Sequence, residues 1–572
     1  MTVHPAIFLF TASGLALWVP RPARAPLLFC GAVAALVASV LLSQGAHWSH
    51  TVGDLQLELL RVDALSHLFG VIFTLITVIG VLYAWHTVQR GEHSAALVSA
   101  GGALGVVYSG DWISAFVWWE LMALASLIVI WSGDTPRALA AGYRYVLVHV
   151  TGGGLFFAGL LVHLALGGAL ALGPLNESGG WAYGLILTAV AINAAIPPFH
   201  AWLADAYPEA SITGTVFLSA FTTKTAVYLL IRVFAGSELL VWAGVAMALY
   251  GVVYAVLEND IRRLLGYHII SQVGYMVAAV GIGTPLALGG AAAHAFCHIL
   301  YKALLLMGAG AVISATGRRK LSELGGLARQ MPGVTVLYMI GAFSISGVPL
   351  FNGFVSKSMI VSAAGDNGLG LAELLLTLAS IGTFLHTGLN LPYFTFFGAD
   401  QDLRPVSVPR NMTLAMSMAA AGCVVLGVAP GLLYARLAEA VEYHPYTLDH
   451  IAGSLQLLAG TALAFWWLVG KLHGEATESL DTDWFYRKPV PAVMNWTVGA
   501  AATTGQFGQA LTRRLIKVAS GYAADPLSGI HRLVAGSDGP PRRYDENHYR
   551  FPIGATVFWV VLALWLLVLV VG

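Results

Sequence analysis

Long apolar runs follow one another along almost the whole chain, and this limits the fold more than any other feature. A bilayer core roughly 30 Å thick is crossed by about 20 apolar residues of helix. Sixteen segments meet that requirement, centred near residues 12, 35, 77, 102, 122, 154, 192, 224, 248, 273, 299, 347, 385, 421, 462 and 562. Of 572 residues, 58% are hydrophobic and 10% charged, whereas about a quarter are charged in soluble domains. The sequence therefore predicts an all-α polytopic membrane protein. The sixth and twelfth segments are long, which predicts tilt or a break. The first, "MTVHPAIFLFTASGLALWVP", lacks a basic lead and a small-residue cleavage site, so it is expected to stay as a span.

Charge and cysteine usage exclude several functions. Basic and acidic residues number 29 each, so no overall basic field draws nucleic acid. Cys30, Cys297 and Cys423 are far apart and form no C-x-x-C spacing. No metal centre, redox group or other cofactor is expected in this chain.

Arg and Lys are unevenly shared between loops. Loops after odd-numbered spans hold Arg21, Arg24, Arg90, Arg137, Arg262, Arg263, Arg318, Arg319, Lys320, Arg329, Arg404 and Arg410; those after even-numbered spans hold only Arg61 and Arg436. Cytoplasmic loops are enriched in these residues, so sixteen spans put both termini on the non-cytoplasmic side. Between the last two spans, residues 472–551 are polar. Val493, Trp496, Ala500, Phe507, Leu511, Leu515, Val518 and Tyr522 recur there at helical steps, with Arg513, Arg514 and Lys517 near the end. This pattern predicts a helix roughly 50 Å long lying in the cytoplasmic interface; a short amphipathic helix with a loop is the alternative.

Ionisable groups within spans cost at least a few kcal/mol each and tend to mark an ion path. Glu120 sits in "FVWWELMALAS". Lys224, in "SAFTTKTAVYLLIRVF", is the first lysine of the chain. His294, His298 and Lys302, in "AAHAFCHILYKALLLMGAG", fall at i, i+4 and i+8 and so share one helix face. An imidazole accepts a proton on one nitrogen and donates from the other, and a buried amine changes protonation readily. The three read as a proton relay, or as groups hydrogen-bonded to neighbouring helices. Cys297 lies elsewhere on the helix circumference, which disfavours a metal site with the two histidines. Pro349 and two glycines interrupt the apolar run "GVPLFNGF", with Lys357 just beyond, and Pro197 and Pro198 interrupt "AAIPPFHAWLADAYPEAS". Proline removes a backbone donor and breaks helices, and broken membrane helices stand near transport sites. Two such breaks suggest two related halves.

The stretches "WWELMALAS", "PPFHAWLADAYPEAS", "TTKTAVYLLIR", "DIRRLLGYHIISQVGYM", "HAFCHILYKALL" and "GVPLFNGFVSKSMI" together resemble the antiporter-like membrane subunits of Mrp-type cation/proton antiporters, respiratory complex I and membrane-bound hydrogenases. The core motifs "GVPLFNGFVSK" and "HIISQVGYM" resemble those of the D subunits of Mrp antiporters more closely. The resemblance implies fourteen core helices with two inverted five-helix repeats, plus a C-terminal extension. It implies N-terminal spans over 1–110, half-channel regions over 111–235 and 236–400, core spans over 401–471, the polar region 472–551 and a last span over 552–572. By position, Glu120 is similar to the fifth-span glutamate, Lys224 to the eighth-span lysine, and His294, His298 and Lys302 to the polar file linking the halves. Lys357 is similar to the lysine at the second break; Asn193, Pro197, Pro198, Pro349, His268 and Asp260 take supporting places. Where the family usually has a lysine five residues before the second proline of the first break, this chain has Asn193. Glu120 is then neutral much of the time, or Lys224 partners it, or the subunit pumps weakly or by another path; the second is preferred.

The implied function is proton translocation within a bacterial inner-membrane complex, with other membrane subunits as partners and Na⁺ or another monovalent cation exchanged for H⁺. The alternatives are a pumping arm of a complex I-like, hydrogenase-like or carbon-uptake assembly, and a scaffold that transports nothing.

Overall fold

Pro5, Pro136, Pro285 and Pro332 each open a helix at its first turn, where the missing N–H has no partner to lose. Asp63, Asp111, Thr135, Asp260, Thr284 and Thr447 cap helix starts through side-chain oxygens. These signals punctuate the apolar runs into separate helices. The computed structural model describes residues 3–87, 90–176, 179–439, 441–471, 481–524, 534 and 552–571. They form two units, Met1–Asp483 and Trp484–Gly572.

In the first unit, α1 (Pro5–Ala16) and α2 (Arg21–Leu41) precede an antiparallel hairpin, β1 (Gly45–Val52) and β2 (Leu55–Val62). This hairpin departs from the all-helical expectation. The unit then runs through α3 (Ala64–Ala84), α4 (Arg90–Tyr108), α5 (Trp112–Trp131), α6 (Pro136–Ala165), α7 (Trp181–Ala194), α8 (Ala201–Ala206), α9 (Gly214–Ala220) and α10 (Thr222–Val233). It continues with α11 (Glu238–Leu257), α12 (Ile261–Ile282), α13 (Pro285–Thr316), α14 (Pro332–Ser346), α15 (Asn352–Asp366) and α16 (Gly370–Thr383). Wider π turns continue α16 over Phe384–Asn390 and Tyr393–Phe397. The unit closes with α17 (Arg410–Val428), α18 (Gly431–Tyr434) and α19 (Leu448–Leu468), and α20 (Asp483–Arg487) begins at its last residue.

Fifteen of the expected span centres fall within helices, and the remaining one, near 347, falls on the gap between α14 and α15. The long sixth segment is one unbroken helix of 30 residues, while the twelfth is broken as expected. The stretch from α9 through α10 is 89% buried, and helices α12 and α13 are also deeply enclosed, 94% and 89% buried over their most apolar stretches. They form the centre of the bundle, and α13 carries the histidine–lysine file.

The two breaks share one backbone design. Helix α7 ends on Ala195 and α14 on Gly347, both left-handed, with φ 59° and 73°. Ile196 N–H reaches back to Ala191 O and Val348 N–H to Phe343 O, while Ala195 N–H bonds Ile192 O and Gly347 N–H bonds Ser344 O. That is the paired helix-end closure of a Schellman motif. Proline follows two residues after each left-handed residue, at 197 and 349, and phenylalanine four after, at 199 and 351.

In the second unit, α21 (Pro489–Ala524) has 36 residues, about 54 Å at 1.5 Å per residue, so the expected long helix forms rather than the short one with a loop. Val493, Trp496, Phe507, Leu511, Leu515 and Val518 are exposed on it. The last helix is α22 (Ile553–Val571). Residues 472–480, 525–533 and 535–551 of the expected polar region lie outside the described residues.

Candidate functional site: a buried file of ionisable groups

Helix α13 carries His294, His298 and Lys302, all fully buried. His294 Nδ1 meets Ser356 Oγ of α15 at 2.9 Å, and its Nε2 lies 3.3 Å from the Tyr301 hydroxyl, which in turn donates to Gln272 Oε1 of α12 at 3.3 Å. Both ring nitrogens of His298 and the Nζ of Lys302 are buried with no hydrogen-bond partner among the described residues. The His294–His298 and His298–Tyr301 ring centroids are 6.3 and 5.2 Å apart.

The file is flanked by two lysines. Lys224, on the first turn of α10, is fully buried; its Nζ donates to Ser219 O at 2.7 Å and Thr223 Oγ1 at 3.1 Å. Lys357, on α15, donates to Ile345 O, a carbonyl at the broken end of α14, at 2.9 Å and to Ser380 Oγ at 3.2 Å, and sits over the Tyr275 ring at 5.1 Å. Lys224 is within electrostatic range of Lys302 and both file histidines, and Lys357 of both histidines and His268. These groups therefore form one coupled set across the bundle centre.

Lys357 also borders a cavity of about 170 Å³ between α14, α15, α16 and α19, lined in part by Ser362, Glu373, Ser380 and His450. Ser362 Oγ lies 3.1 Å from the Tyr443 hydroxyl and 3.4 Å from His450 Nε2. A string of hydroxyls, an imidazole and a carboxylate thus continues from Lys357 to the opening turns of α16 and α19.

Glu120 stands apart. It is half-buried on α5, on the stripe that exposes Val117, Leu124 and Ile128. Its Oε1 is buried without a hydrogen-bond partner among the described residues, and it has no ion-pair partner within 4 Å there. The preferred expectation that Lys224 partners Glu120 is therefore corrected for this conformation: the amine turns to the Ser219 carbonyl, at the junction of α9 and α10, instead. The carboxylate rests on Gly153 of α6, where a Cβ would come within 2.1 Å of Oε1. Gly153→Ala is expected to displace it, because the added methyl would occupy the place of Oε1.

The supporting residues are placed as follows. Asn193, on the last turn of α7, is buried with both amide atoms unpaired among the described residues. Pro197, Pro198 and Pro349 lie in the breaks. Asp260 caps α12 through the backbone N–H groups of Arg262 and Arg263 and pairs with Arg319. His268 Nε2 lies 3.2 Å from His386 Nδ1, in the π-turn segment after α16.

Several charged residues escaped the sequence reading. Arg144 of α6 binds Asp205 of α8 through two bonds of 2.6 and 2.9 Å, and Arg232 of α10 binds both oxygens of Asp63. Buried Glu92 of α4 accepts from Thr213 and Ser211, and Arg262 donates to Ala210 O and Ser211 O. The Arg144, Glu92 and Arg262 contacts fix the segment after the first break against α6, α4 and α12. Arg144 and Arg232 were open to discovery, as charges inside apolar helices; their partners were not.

A bundle of membrane-length helices, two of them broken, around a coupled file of buried lysines and histidines defines the class of antiporter-like membrane subunits. The profile of the family described as "NADH:quinone oxidoreductase/Mrp antiporter, TM" matches residues 109–385, and the chain belongs to that family. It is 30% identical over 354 residues to the D subunit of the Na⁺/H⁺ antiporter of Alkalihalophilus pseudofirmus, covering 56% of this chain and 71% of that one. It is 31% identical over 401 residues to the A/B subunit of a probable K⁺/H⁺ antiporter of Rhizobium meliloti, covering 65% of this chain but only 40% of that one. Among solved structures, a chain of the membrane-bound sulfane sulfur reductase, an archaeal respiratory membrane complex, superposes with a TM-score of 0.70 over 99% of both chains at 22% identity. That last likeness concerns the fold.

Proposed function

We propose that the chain is the proton-translocating subunit of a multi-subunit monovalent cation/proton antiporter in a bacterial inner membrane, with both termini on the non-cytoplasmic side. The observation that carries this reading is the buried set Lys224, Lys302, His298, His294 and Lys357, in which both Lys224 and Lys357 lie within electrostatic range of the two histidines. A buried polar atom left unpaired costs roughly 1–3 kcal/mol, more if charged, so the unpaired atoms of His298 and Lys302 favour ordered water along the file. Protons then move as follows. An added positive charge at Lys224 disfavours one at Lys302 or on the imidazoles, because like charges in low dielectric repel strongly. The proton is displaced toward Lys357, which releases it into the cavity beside Ser380, Glu373 and His450. Glu120, facing outward on α5, is completed by a neighbouring membrane subunit that covers its stripe. Other subunits of the complex help to bind the exchanged cation.

The second reading is a pumping arm driven by an attached enzyme, supported by the matched family, whose description includes NADH:quinone oxidoreductase. Inverted vesicles carrying the intact complex and a preformed pH gradient separate the two. Cation/proton antiport predicts that added Na⁺ or K⁺ collapses the gradient in proportion to the complex present. No response to Na⁺, K⁺ or Li⁺, with acidification driven only by a redox or other enzymatic substrate, would overturn the antiport reading.

A further inference from the structure

The segment after α19 puts a carboxylate into the first break, away from the file centred on α13. Asp481 is 5% exposed although it lies in a polar connecting segment. Its Oδ1 lies 3.1 Å from His200 Nε2 and accepts from the Tyr250 hydroxyl of α11 at 2.5 Å; its Oδ2 accepts from the Tyr267 hydroxyl of α12. The next residue, Thr482, donates from Oγ1 to Pro198 O, in the break itself, at 3.4 Å. His200 is fully buried, and its other ring nitrogen, Nδ1, has no hydrogen-bond partner among the described residues.

We propose that Asp481 is the proton-exchange carboxylate of the first half, passing protons between the arginine-rich end of the bundle and His200 at the break. A bare tether would need only apolar contact or backbone pairing. Apart from the backbone N–H of Thr482, the partners of the carboxylate are side chains that bear an exchangeable proton, and the imidazole beyond it has one nitrogen on Asp481 and one turned elsewhere, the arrangement an imidazole relay requires. In the transfer, the proton leaves Asp481 Oδ1 for His200 Nε2 as the Nδ1 proton departs on the other side; no other bond changes. Outward of Asp481, Tyr267 is coupled to Arg263, which pairs with Glu258 at 3.1 Å and feels Asp483. These groups, with Tyr250 and the Tyr254 ring packed on both tyrosines, are the titratable and charged neighbours of the pair among the described residues. Burial by itself would raise the Asp481 carboxyl, but the His200 and tyrosine contacts outweigh it and hold the carboxyl below its usual range, so a proton taken up there is passed on rather than stored. Asn193 gives this site its significance: α7 carries no lysine, and His200 is the titratable group of the broken segment.

This inference rests on the proton-transport reading, and the test uses the intact complex in vesicles. Asp481→Asn keeps an acceptor oxygen for one tyrosine and an amide N–H that donates to the hydroxyl of the other, so the segment stays docked, which the rate of trypsin cleavage after Arg487, compared with wild type, checks. Proton flux is expected to fall about tenfold and to lose the pH profile of the wild type, whereas Asp481→Glu retains most of the flux. Wild-type flux and pH profile in Asp481→Asn, while Lys357→Ala is defective, would overturn this inference alone; unimpaired flux in both would overturn the transport reading too. Equal loss in Asp481→Glu and Asp481→Asn would also overturn it, since placement rather than proton exchange would then be the role.

Discussion

Lys302→Met is expected to make the complex more stable and less active at once. The Lys302 amine is fully buried with no hydrogen-bond partner among the described residues, and holding an ammonium there costs several kcal/mol. Methionine has nearly the same length and fills irregular apolar space without a polar tip. The melting midpoint of the purified complex should rise by a few degrees, while cation-driven proton flux falls at least about tenfold. Opposed shifts of this kind identify a residue kept for function at the expense of stability. A variant with lower stability and unchanged flux would make Lys302 a packing residue and remove the centre of the file.

Lys357→Ala should be comparably severe, for a different reason. Its amine joins the carbonyl at the end of α14 to Ser380 and the cavity toward Glu373 and His450, so its loss cuts the file from its outlet. Flux should again fall about tenfold or more. Lys357→Arg sharpens the test, because guanidinium keeps the positive charge yet does not give up its proton near neutral pH. Arginine is expected to fail as a replacement, and Ser380→Ala to cost far less, since the Ile345 carbonyl still holds the amine. Full flux with arginine would mean that Lys357 acts as a fixed charge and not as a proton carrier.

The sequence disclosed what depends on local pattern. Apolar length placed the helices, and prolines 197, 198 and 349 placed the breaks, because both are properties of a few consecutive residues. The i, i+4, i+8 spacing of His294, His298 and Lys302 was enough to put them on one face of α13. Long-range pairing was not legible: Arg144 finds Asp205 across 61 residues, Arg232 finds Asp63 across 169, and Asp481 finds His200 across 281. The hairpin Gly45–Val62 was lost between two strong span signals. His386, which meets His268, lies where α16 widens into π turns, a geometry common at functional sites that no periodicity announces. The expected Glu120–Lys224 pair shows the limit of counting charges. Lys224 was the remaining amine of the first half, but the junction of α9 and α10 leaves the Ser219 carbonyl near its own Nζ, and that carbonyl takes it.

The central claim is that protons cross through the buried set from Lys224 to Lys357. Proton flux in vesicles bearing the intact complex, compared between wild type, Lys224→Ala and Lys357→Ala at equal amounts of assembled complex, tests it most directly. A loss of about tenfold or more in each variant is the predicted result, and flux at the wild-type level in both would contradict it.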